Sequence, residues 1–389
     1  GHLFRLLHSH QLDERRNDIC QTAILSQTVC RICVYQNKRN RIGGMCCPGL
    51  ACLIINHHLG IAVIRADKHL TACLFHCLNR ASHAAVYGPL DKYFTPFLEP
   101  HEKRSMKTKE RNEVLSQHNE GLHVVPQILT NHAEGFLELT ETLQEMGYQE
   151  INLNLGCPSK TVVTRGKGAG FLASPEELER FLDMVFKGLP GEMKLSVKTR
   201  IGMEADEEFE KLLAVYNRYP LYELIIHPRL QADYYKNTPR KEVFRCALEK
   251  SKAPLCYNGD LFTEKQIEEF EKEFPQEECV MLGRGIILNP GLPVTLRGGD
   301  SRWDEKTRRE KFREFQQRLV DGYRALDIGD RNVLYKVKEL WFYQSHLFEH
   351  AEKYSKKIKK AQNLETYLEC VRELTDCCRI APPGSLGKG

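Results

Sequence analysis

One cysteine stands in a setting that could make its thiol chemically active. Residues 151–160, INLNLGCPSK, read as a strand that ends in a loop carrying glycine and proline. A lone cysteine is usually a buried and inert thiol. Basic residues close behind it favour an exposed, electropositive position instead, and three follow here: Lys160, Arg165 and Lys167. We therefore take Cys157 as the candidate reactive thiol.

Polar residues recur where apolar, strand-like runs end. The runs span residues 93–98, 124–129, 151–156, 195–200, 224–229, 255–260 and 280–285. Their last positions, or those just after, hold Gln127, Asn154 with Cys157, Lys198 with Arg200, His227 with Arg229, Asn258 with Asp260, and Arg284. Strands buried on both faces read as apolar runs. Polar groups at successive strand ends therefore indicate a site at one face of a barrel.

Two short motifs close the last two of these runs, Asn258-Gly259-Asp260 and Gly283-Arg284-Gly285. Glycine lets backbone N–H groups approach a phosphate, and barrel enzymes frequently bind phosphate after their last two strands. Lys198 suits the electron-rich edge of a reduced flavin, because a fixed cation stabilises negative charge that develops there. Gln127 and His227 could donate hydrogen bonds to the same ring system.

The elements that must position these residues alternate along the chain. Amphipathic helical segments at 133–146, 175–186, 204–219 and 263–274 separate the strand-like runs, and Ser174 and Thr263 read as N-caps. This alternation predicts an α/β fold with a parallel sheet, a (β/α)8 TIM barrel. A closed barrel needs an eighth strand. We expect that strand upstream of Tyr93, near residues 60–76, with residues 61–65 as one candidate.

The predicted domain organisation has three parts. Residues 1–80 form an atypical Cys- and His-rich region, 81–295 the catalytic barrel, and 296–389 a helical domain. Eight of the 15 cysteines fall before residue 80. Three interpretations of that region stay open: a zinc site at Cys30, Cys33 and the cysteines at 46, 47 and 52; an added disordered arm; or a segment read in a displaced frame. No metal ligands are expected in the barrel.

Composition excludes some classes of protein. The 389 residues are 41% apolar and 28% charged, which excludes a mini-protein and allows a barrel plus a smaller domain. No apolar run of about 18 residues occurs and no signal peptide is recognisable, so we expect a soluble cytoplasmic protein that binds no membrane. A monomer is a separate expectation that no motif supports. The net charge of +4 is too small to indicate a nucleic-acid partner by itself.

The motifs taken together resemble those of the tRNA-dihydrouridine synthases. The similarity rests on the loop with Cys157 and, in the same order as in that family, on residues 166–172 (GKGAGFL), 197–200 (VKTR), 226–229 (IHPR), 258–260 (NGD) and 283–285 (GRG). It covers roughly residues 80 to 360. The family's first-strand turn, Ala-Pro-x-x-Gly-x-Thr, is not recognisable here, which puts flavin affinity in question.

This resemblance implies a reaction and a set of residue roles. NADPH would reduce bound FMN, hydride would pass to C6 of a uridine in tRNA, and Cys157 would donate the proton to C5. Asn154 and Arg200 would lie beside the pyrimidine or the flavin ring. The FMN contacts would be Gln127, Lys198, His227, Asn258, Gly259, Asp260, Gly283 and Arg284. The basic rim that meets tRNA would be Lys160, Arg165, Lys167 and Arg229, joined by the C-terminal helices with residues 356–360 (KKIKK).

Two rival functions stay open at the sequence level. One is an FMN barrel that acts on a free pyrimidine such as dihydroorotate, which would share the phosphate end and would not need the basic helices. The other is an RNA-binding protein that has lost its flavin along with the first strand. A bound flavin would exclude the second rival. Its presence could be detected by visible absorbance, as is usual for flavins.

Overall fold

The structure, a computed structural model, describes residues 69–73, 76–101, 106–296 and 303–381. Eight parallel strands close into a barrel, each bonded to the next in chain order and the last to the first. They are β1 (His69–Cys73), β2 (Lys92–Leu98), β3 (Val124–Ile128), β4 (Glu150–Leu155), β5 (Lys194–Arg200), β6 (Glu223–His227), β7 (Leu255–Tyr257) and β8 (Cys279–Leu282). The predicted (β/α)8 barrel is confirmed.

The first strand closes the barrel. Thr71 is aligned with Lys92 of β2 on one side and with Met281 of β8 on the other. The strand lies inside the range 60–76 in which the sequence predicts it, so that prediction is confirmed. The particular candidate at 61–65 lies outside the described residues, as do the proposed zinc cysteines of the first region.

Helices follow most of the strands and continue after the barrel. They are α1 (Cys77–Tyr87), α2 (Thr108–Val114), α3 (Ala133–Glu145), α4 (Lys160–Val163), α5 (Pro175–Gly188), α6 (Glu208–Tyr216), α7 (Lys241–Lys250), α8 (Glu264–Glu273), α9 (Arg284–Leu288), α10 (Leu292–Leu296), α11 (Glu305–Ala325), α12 (Asp330–Glu339), α13 (Trp341–Gln344), α14 (Glu352–Lys360) and α15 (Leu364–Cys377). Within the described residues no helix is long and apolar enough to span a membrane.

Helix α5 illustrates how sequence periodicity places a helix on the barrel. Its buried residues are Leu178, Phe181, Leu182 and Val185, which recur at the three- and four-residue spacing of a single helix face. Pro175 occupies its first turn, where the missing N–H removes no intrahelical bond. The apolar stripe therefore packs inward, and the charged positions between these residues remain outside.

The two predicted N-caps differ in how they work. The Thr263 side chain accepts from the Gln266 backbone N–H at 3.1 Å, and the Gln266 side chain in turn accepts from the Thr263 N–H at 3.1 Å. This reciprocal capping box starts α8. Ser174 occupies the N-cap of α5 without a side-chain cap bond, so the proline that follows it defines that helix start.

The helices after the barrel share a hydrophobic cluster of their own. One of its members is the fully buried Trp341. The Trp341 Nε1–H donates to the Tyr367 hydroxyl at 2.8 Å, and that hydroxyl donates to Gln316 Oε1 at 2.7 Å. A buried polar group that is fully hydrogen-bonded avoids the penalty of desolvation. The predicted helical C-terminal region is confirmed, while the boundaries at 81 and 296 stay predictions.

Candidate active site

A cavity of about 240 Å³ lies at the carboxyl ends of the barrel strands. It brings together residues that are far apart in the sequence but each at or just beyond the end of a strand. Its polar lining includes Gln127, Asn154, Cys157, Lys198, His227, Asn258, Gly259, Asp260, Gly283 and Arg284. All eight residues predicted to contact a cofactor thus face one space, together with the candidate thiol. Their roles there stay predictions.

The turn that carries Cys157 is fixed by its own backbone bonds. The Asn154 side-chain oxygen accepts the N–H groups of both Gly156 and Cys157 at 3.0 Å. The Cys157 carbonyl accepts from the Ala169 N–H at 3.0 Å. Gly168 has φ +56°, and a Cβ there would lie 3.0 Å from the Cys157 Cβ. Only glycine suits that conformation and closeness, so the half-buried thiol is held on both sides.

A chain of side-chain amides runs across the barrel beneath this turn. Asn154 Nδ2 donates to Gln127 Oε1 at 2.7 Å, Gln127 Nε2 donates to Asn152 Oδ1 at 2.8 Å, and Asn152 Nδ2 donates to Ser196 Oγ at 3.0 Å. An amide offers two N–H donors and two acceptor lone pairs. Gln127 therefore keeps one N–H and one lone pair for a ligand, and Asn154 serves mainly to orient its neighbours.

His227 is a neutral imidazole with a defined proton position. Its pKa lies well below 6.5, first because the ring is buried and then because of the cations Arg200, Lys198, Arg229 and Arg284. Arg229 Nη1 lies 2.9 Å from His227 Nε2. A guanidinium can only donate, so Nε2 is the acceptor and the imidazole proton resides on Nδ1. His227 is therefore a hydrogen-bond donor through Nδ1 and carries no charge of its own.

Asp260 links the ends of β6 and β8 through charge. Its carboxylate accepts from Arg229 Nη1 at 2.9 Å and from Arg284 Nη2 at 2.6 Å. Gly285 lets the segment that carries Arg284 lie close to the loop of Leu261, because a Cβ at position 285 would lie 2.0 Å from the Leu261 carbonyl oxygen. The two motifs predicted to bind phosphate are therefore joined to each other directly. Cations still outnumber carboxylates around this cavity.

Two predicted substrate contacts take other positions. Arg229, expected on the basic rim, is 1% exposed, since a charge paired with Asp260 and bonded to His227 can be buried. Arg200, expected beside the pyrimidine or flavin ring, is fully buried and does not line the cavity. It donates to the carbonyls of residues 156, 230 and 234 at 2.9, 2.8 and 2.7 Å. Both arginines hold loops in place.

The remaining rim residues lie on the segment after Cys157. Lys160 and Arg165 are exposed. Lys167 is partly buried, and its Nζ lies 2.9 Å from Glu99 Oε2 beyond β2. This ion pair ties the cysteine segment to the neighbouring strand end. Two of the three predicted basic residues on this segment are therefore open to solvent, and the third has a carboxylate partner.

Aromatic residues at the cavity were not found by reasoning from the sequence. Phe97 and Tyr235 both line it and are 38% and 52% exposed. The Arg284 guanidinium lies 4.7 Å from the centre of the Tyr235 ring, a distance typical of cation–π contacts. Tyr235 belongs to the loop after β6, where no periodicity applies. The tyrosine pair at 234–235 in a polar loop was the available signal.

Comparisons with known proteins point to one family. The family model described as dihydrouridine synthase matches residues 80–381. The tRNA-dihydrouridine(16) synthase of Haemophilus influenzae is 26% identical over 251 residues, which cover 63% of this chain and 77% of that protein. The protein of the same name from Aquipseudomonas alcaligenes is 28% identical over 181 residues, which cover 45% of this chain and 55% of that protein.

Solved structures show a weaker similarity. The structure of morphinone reductase in complex with tetrahydroNAD aligns with a TM-score of 0.41 and 14% identity, and covers 60% of this chain and 86% of that one. A similarity at this level has no bearing on the chemistry. The family match extends over most of the described residues, from α1 to the end of the C-terminal helices. The chain belongs to the dihydrouridine synthase family.

Proposed function

We propose that this protein reduces a uridine of tRNA to 5,6-dihydrouridine with FMN as its cofactor and NADPH as the reductant. The observation that carries the proposal is the convergence of Cys157 with a cation-rich, glycine-bearing set of strand ends on one cavity, in a chain of this family. Family membership favours a tRNA substrate, and the geometry favours a reaction in which a thiol faces a bound group.

The lining of the cavity fits FMN in its chemical composition. Apolar walls from Pro96, Phe97 and Met281 suit a planar ring, and Lys198 and Arg284 supply positive charge for a phosphate and for the ring. Gly259 and Gly283 leave the backbone accessible at the phosphate end. When bound, FMN would supply hydride to C6 of the uracil ring.

Cys157 is the residue we assign to the proton transfer. Addition of hydride to C6 leaves negative charge that must be quenched by a proton at C5. The Cys157 thiol is half-buried at the cavity wall, and Asn154 and Gly168 fix its backbone. A donor held in this way needs no reorganisation before it reacts. Gln127 and His227 would donate hydrogen bonds to the bound ring.

Two basic surfaces suit the tRNA. Lys160 and Arg165 are exposed on the segment after Cys157. Helix α14 has its lysines at 353, 356, 357, 359 and 360 exposed, whereas Ser355 and Ile358 are buried. Clustered lysines bind phosphates without reading sequence. A uridine must leave its stack to reach a cavity of this kind, and these surfaces would hold the rest of the tRNA meanwhile.

The test uses the full chain with unmodified tRNA, FMN and NADPH, and dihydrouridine is mapped along the tRNA. Cys157→Ala should lower the rate by about 10²- to 10⁴-fold, the usual contribution of a positioned acid, with flavin binding retained. Cys246→Ala is the matched control, since Cys246 is exposed on α7 outside the cavity.

Three outcomes would count against the proposal. Full turnover by Cys157→Ala removes this residue as the proton donor. Absence of dihydrouridine with a flavin-loaded protein overturns the reaction itself. Turnover of free uracil or dihydroorotate at a rate that tRNA does not exceed favours the rival barrel that acts on a free pyrimidine.

A further inference from the structure

A second group of buried reactive side chains lies at the opposite end of the barrel. Cys279 and Glu223 are the first residues of β8 and β6, and Cys256 is the second residue of β7. The amino ends of parallel barrel strands meet at the face opposite the active site. The cluster is therefore separate from the cavity that holds Cys157, and the proposed function makes no use of it.

The three side chains converge within the range of a metal site. One ligand atom from each, the two sulfurs and a carboxylate oxygen, lies within 4.8 Å of the others, and Cys279 Sγ is 3.7 Å from Glu223 Oε1. Tetrahedral zinc with Zn–S bonds of about 2.3 Å places its ligand atoms ~3.8 Å apart. The observed spacing requires only a small contraction. Both cysteines immediately precede residues that are paired across β7 and β8, Tyr257 and Val280.

The neighbouring charges leave one carboxylate oxygen facing the sulfurs. Lys92 Nζ lies 3.0 Å from Glu150 Oε1 and 3.4 Å from Glu223 Oε2. The ammonium therefore occupies one side of Glu223, and Oε1 on the other side contacts the thiol of Cys279. The Cys256 sulfur is fully buried and belongs to the same group of ligand atoms.

Charge is conserved if a divalent cation replaces two thiol protons. The charges beside the two cysteines are the carboxylates of Glu150 and Glu223, which flank the Lys92 ammonium, and the buried carboxylate of Glu277, which accepts from the Cys279 backbone N–H at 3.0 Å. Binding of M²⁺ would form two metal–thiolate bonds and release two protons to solvent, which leaves the net charge unchanged. Since a change in buried net charge is costly, this exchange avoids the main penalty of a buried metal site.

A route from solvent reaches the cluster. A cavity of about 690 Å³ at this end of the barrel is lined by Lys92, Glu223 and Cys279, among others. It gives access for an ion and space for a water molecule as a fourth ligand. Site geometry, ligand softness and an entry path are the features expected of a protein metal site.

We propose that Cys256, Cys279 and Glu223 bind one thiophilic divalent cation, of the zinc class, at the amino end of the barrel. Two thiolates and a carboxylate select zinc-like ions over magnesium or calcium. The ion would join β6, β7 and β8, whose other ends carry His227, Asn258 and Arg284. The ion would act as a structural clamp beneath the active site. This proposal does not depend on the proposed reaction with tRNA.

Cobalt is the probe, because Co²⁺ occupies zinc sites and its thiolate complexes are coloured. The reduced, metal-free full chain is titrated with Co²⁺, and absorption from cobalt–thiolate bonds is followed. Cys256→Ser and Cys279→Ser should each bind one Co²⁺ fewer than the wild type and lose the corresponding absorption. Glu223→Gln keeps both thiols and should bind at least about tenfold more weakly.

Two control variants separate this site from other thiols. Cys77→Ser removes a thiol from another cluster of His76, Cys77 and Glu113, and Cys246→Ser removes an exposed one. Both should keep the signal assigned to Cys256 and Cys279. Cysteines before residue 69 are present in every variant, so the difference between variants cancels their contribution.

The proposal is overturned if Glu223→Gln and the folded serine variants titrate like the wild type. It is also overturned if the signal disappears in Cys77→Ser and persists in Cys256→Ser. A misfolded serine variant does not decide the matter, because Glu223→Gln is judged by the same titration. Zinc should also raise the melting temperature of the wild type, and an equal rise in Glu223→Gln would count against the clamp.

Discussion

The two ends of the barrel bury charge in opposite proportions. At the carboxyl end, Arg229 and Arg284 share the single carboxylate of Asp260, and Lys198 lines the same cavity. At the amino end, the single ammonium of Lys92 lies between two carboxylates. One closed sheet therefore offers an environment that favours an anion at one end and a cation at the other.

The two ends also differ in how many partners each carboxylate has. If one cation at the carboxyl end is lost, the carboxylate there still has a second partner. If Lys92 is lost, both of its carboxylates lose the same partner. The carboxyl end can therefore exchange contacts with a ligand, whereas the amino end depends on a fixed set of partners. Substitutions at the two ends should therefore differ in their effects.

The largest effect should come from Lys92→Met, which keeps the side-chain length and removes the charge. Glu150 and Glu223 are only 6% and 12% exposed at their side chains. Breaking a buried ion pair by removing one partner costs about 3–5 kcal/mol, and the unfolding free energy should fall by that amount. Urea denaturation followed by circular dichroism measures it.

The matched control for this prediction is Lys167→Met at the carboxyl end. Lys167 pairs with Glu99 at 2.9 Å, but these side chains are 17% and 28% exposed. Because water reaches this pair, its loss should cost less than that of a buried pair and come closer to the value of about 0–1 kcal/mol for surface ion pairs. If the two substitutions cost the same, the contrast between the ends is wrong.

The sequence predicted the carboxyl end far better than the amino end. Gln127, Lys198 and His227 are recognisable because each interrupts an apolar run where its strand finishes, and the order of strands then brings them together. The strand bounds were less well predicted, since β7 stops at Tyr257 and β8 at Leu282. The phosphate motifs therefore lie in loops beyond the strands.

The amino end has no such local pattern. Lys92 meets partners 58 and 131 residues further along the chain, and each of the three charges begins an otherwise ordinary strand. The burial of Arg229 was unpredictable for the same reason, because it depends on Asp260, 31 residues away. Pairings between distant charges are determined by the closed barrel and leave no signal in the neighbouring sequence.

A second prediction concerns the close contact between the loops that follow β7 and β8 at the carboxyl end of the barrel. Gly285→Ala would place a Cβ 2.0 Å from the Leu261 carbonyl oxygen, so backbone must move. Overpacking of this kind costs about 1–3 kcal/mol. Because the displaced loop carries Asn258 to Asp260, flavin affinity should fall together with the melting temperature. Flavin titration and thermal unfolding measure the two effects.

Gly191→Ala is the control at the other end of the barrel. Gly191 lies in the loop before β5, and a Cβ there meets nothing within 4 Å. We expect an unchanged melting temperature and unchanged flavin affinity. A Gly285→Ala variant that behaves like Gly191→Ala would show that the two phosphate-end loops do not need their close approach.

The smallest effect is a dependence of stability on pH that has opposite signs at the two ends. Burial and four nearby cations hold the pKa of His227 well below 6.5 in the folded state. As the pH falls, the unfolded chain therefore takes up a proton on this residue before the folded chain does. Stability from this residue is present above pH 6.5 and is lost as the pH falls. Burial raises the pKa of the Glu223 carboxyl above 4.5, so its contribution grows as the pH falls.

His227→Gln isolates the contribution of the carboxyl end, since the glutamine oxygen can still accept from Arg229. Between about pH 7.5 and pH 5.5 the wild type should lose more unfolding free energy than this variant, up to about 1.4 kcal/mol, the limit for one proton taken up only by the unfolded chain one unit below its pKa. Urea unfolding of both proteins across this range provides the measurement. Parallel curves would mean that His227 titrates alike in both states, contrary to a ring surrounded by Arg200, Arg229 and Arg284.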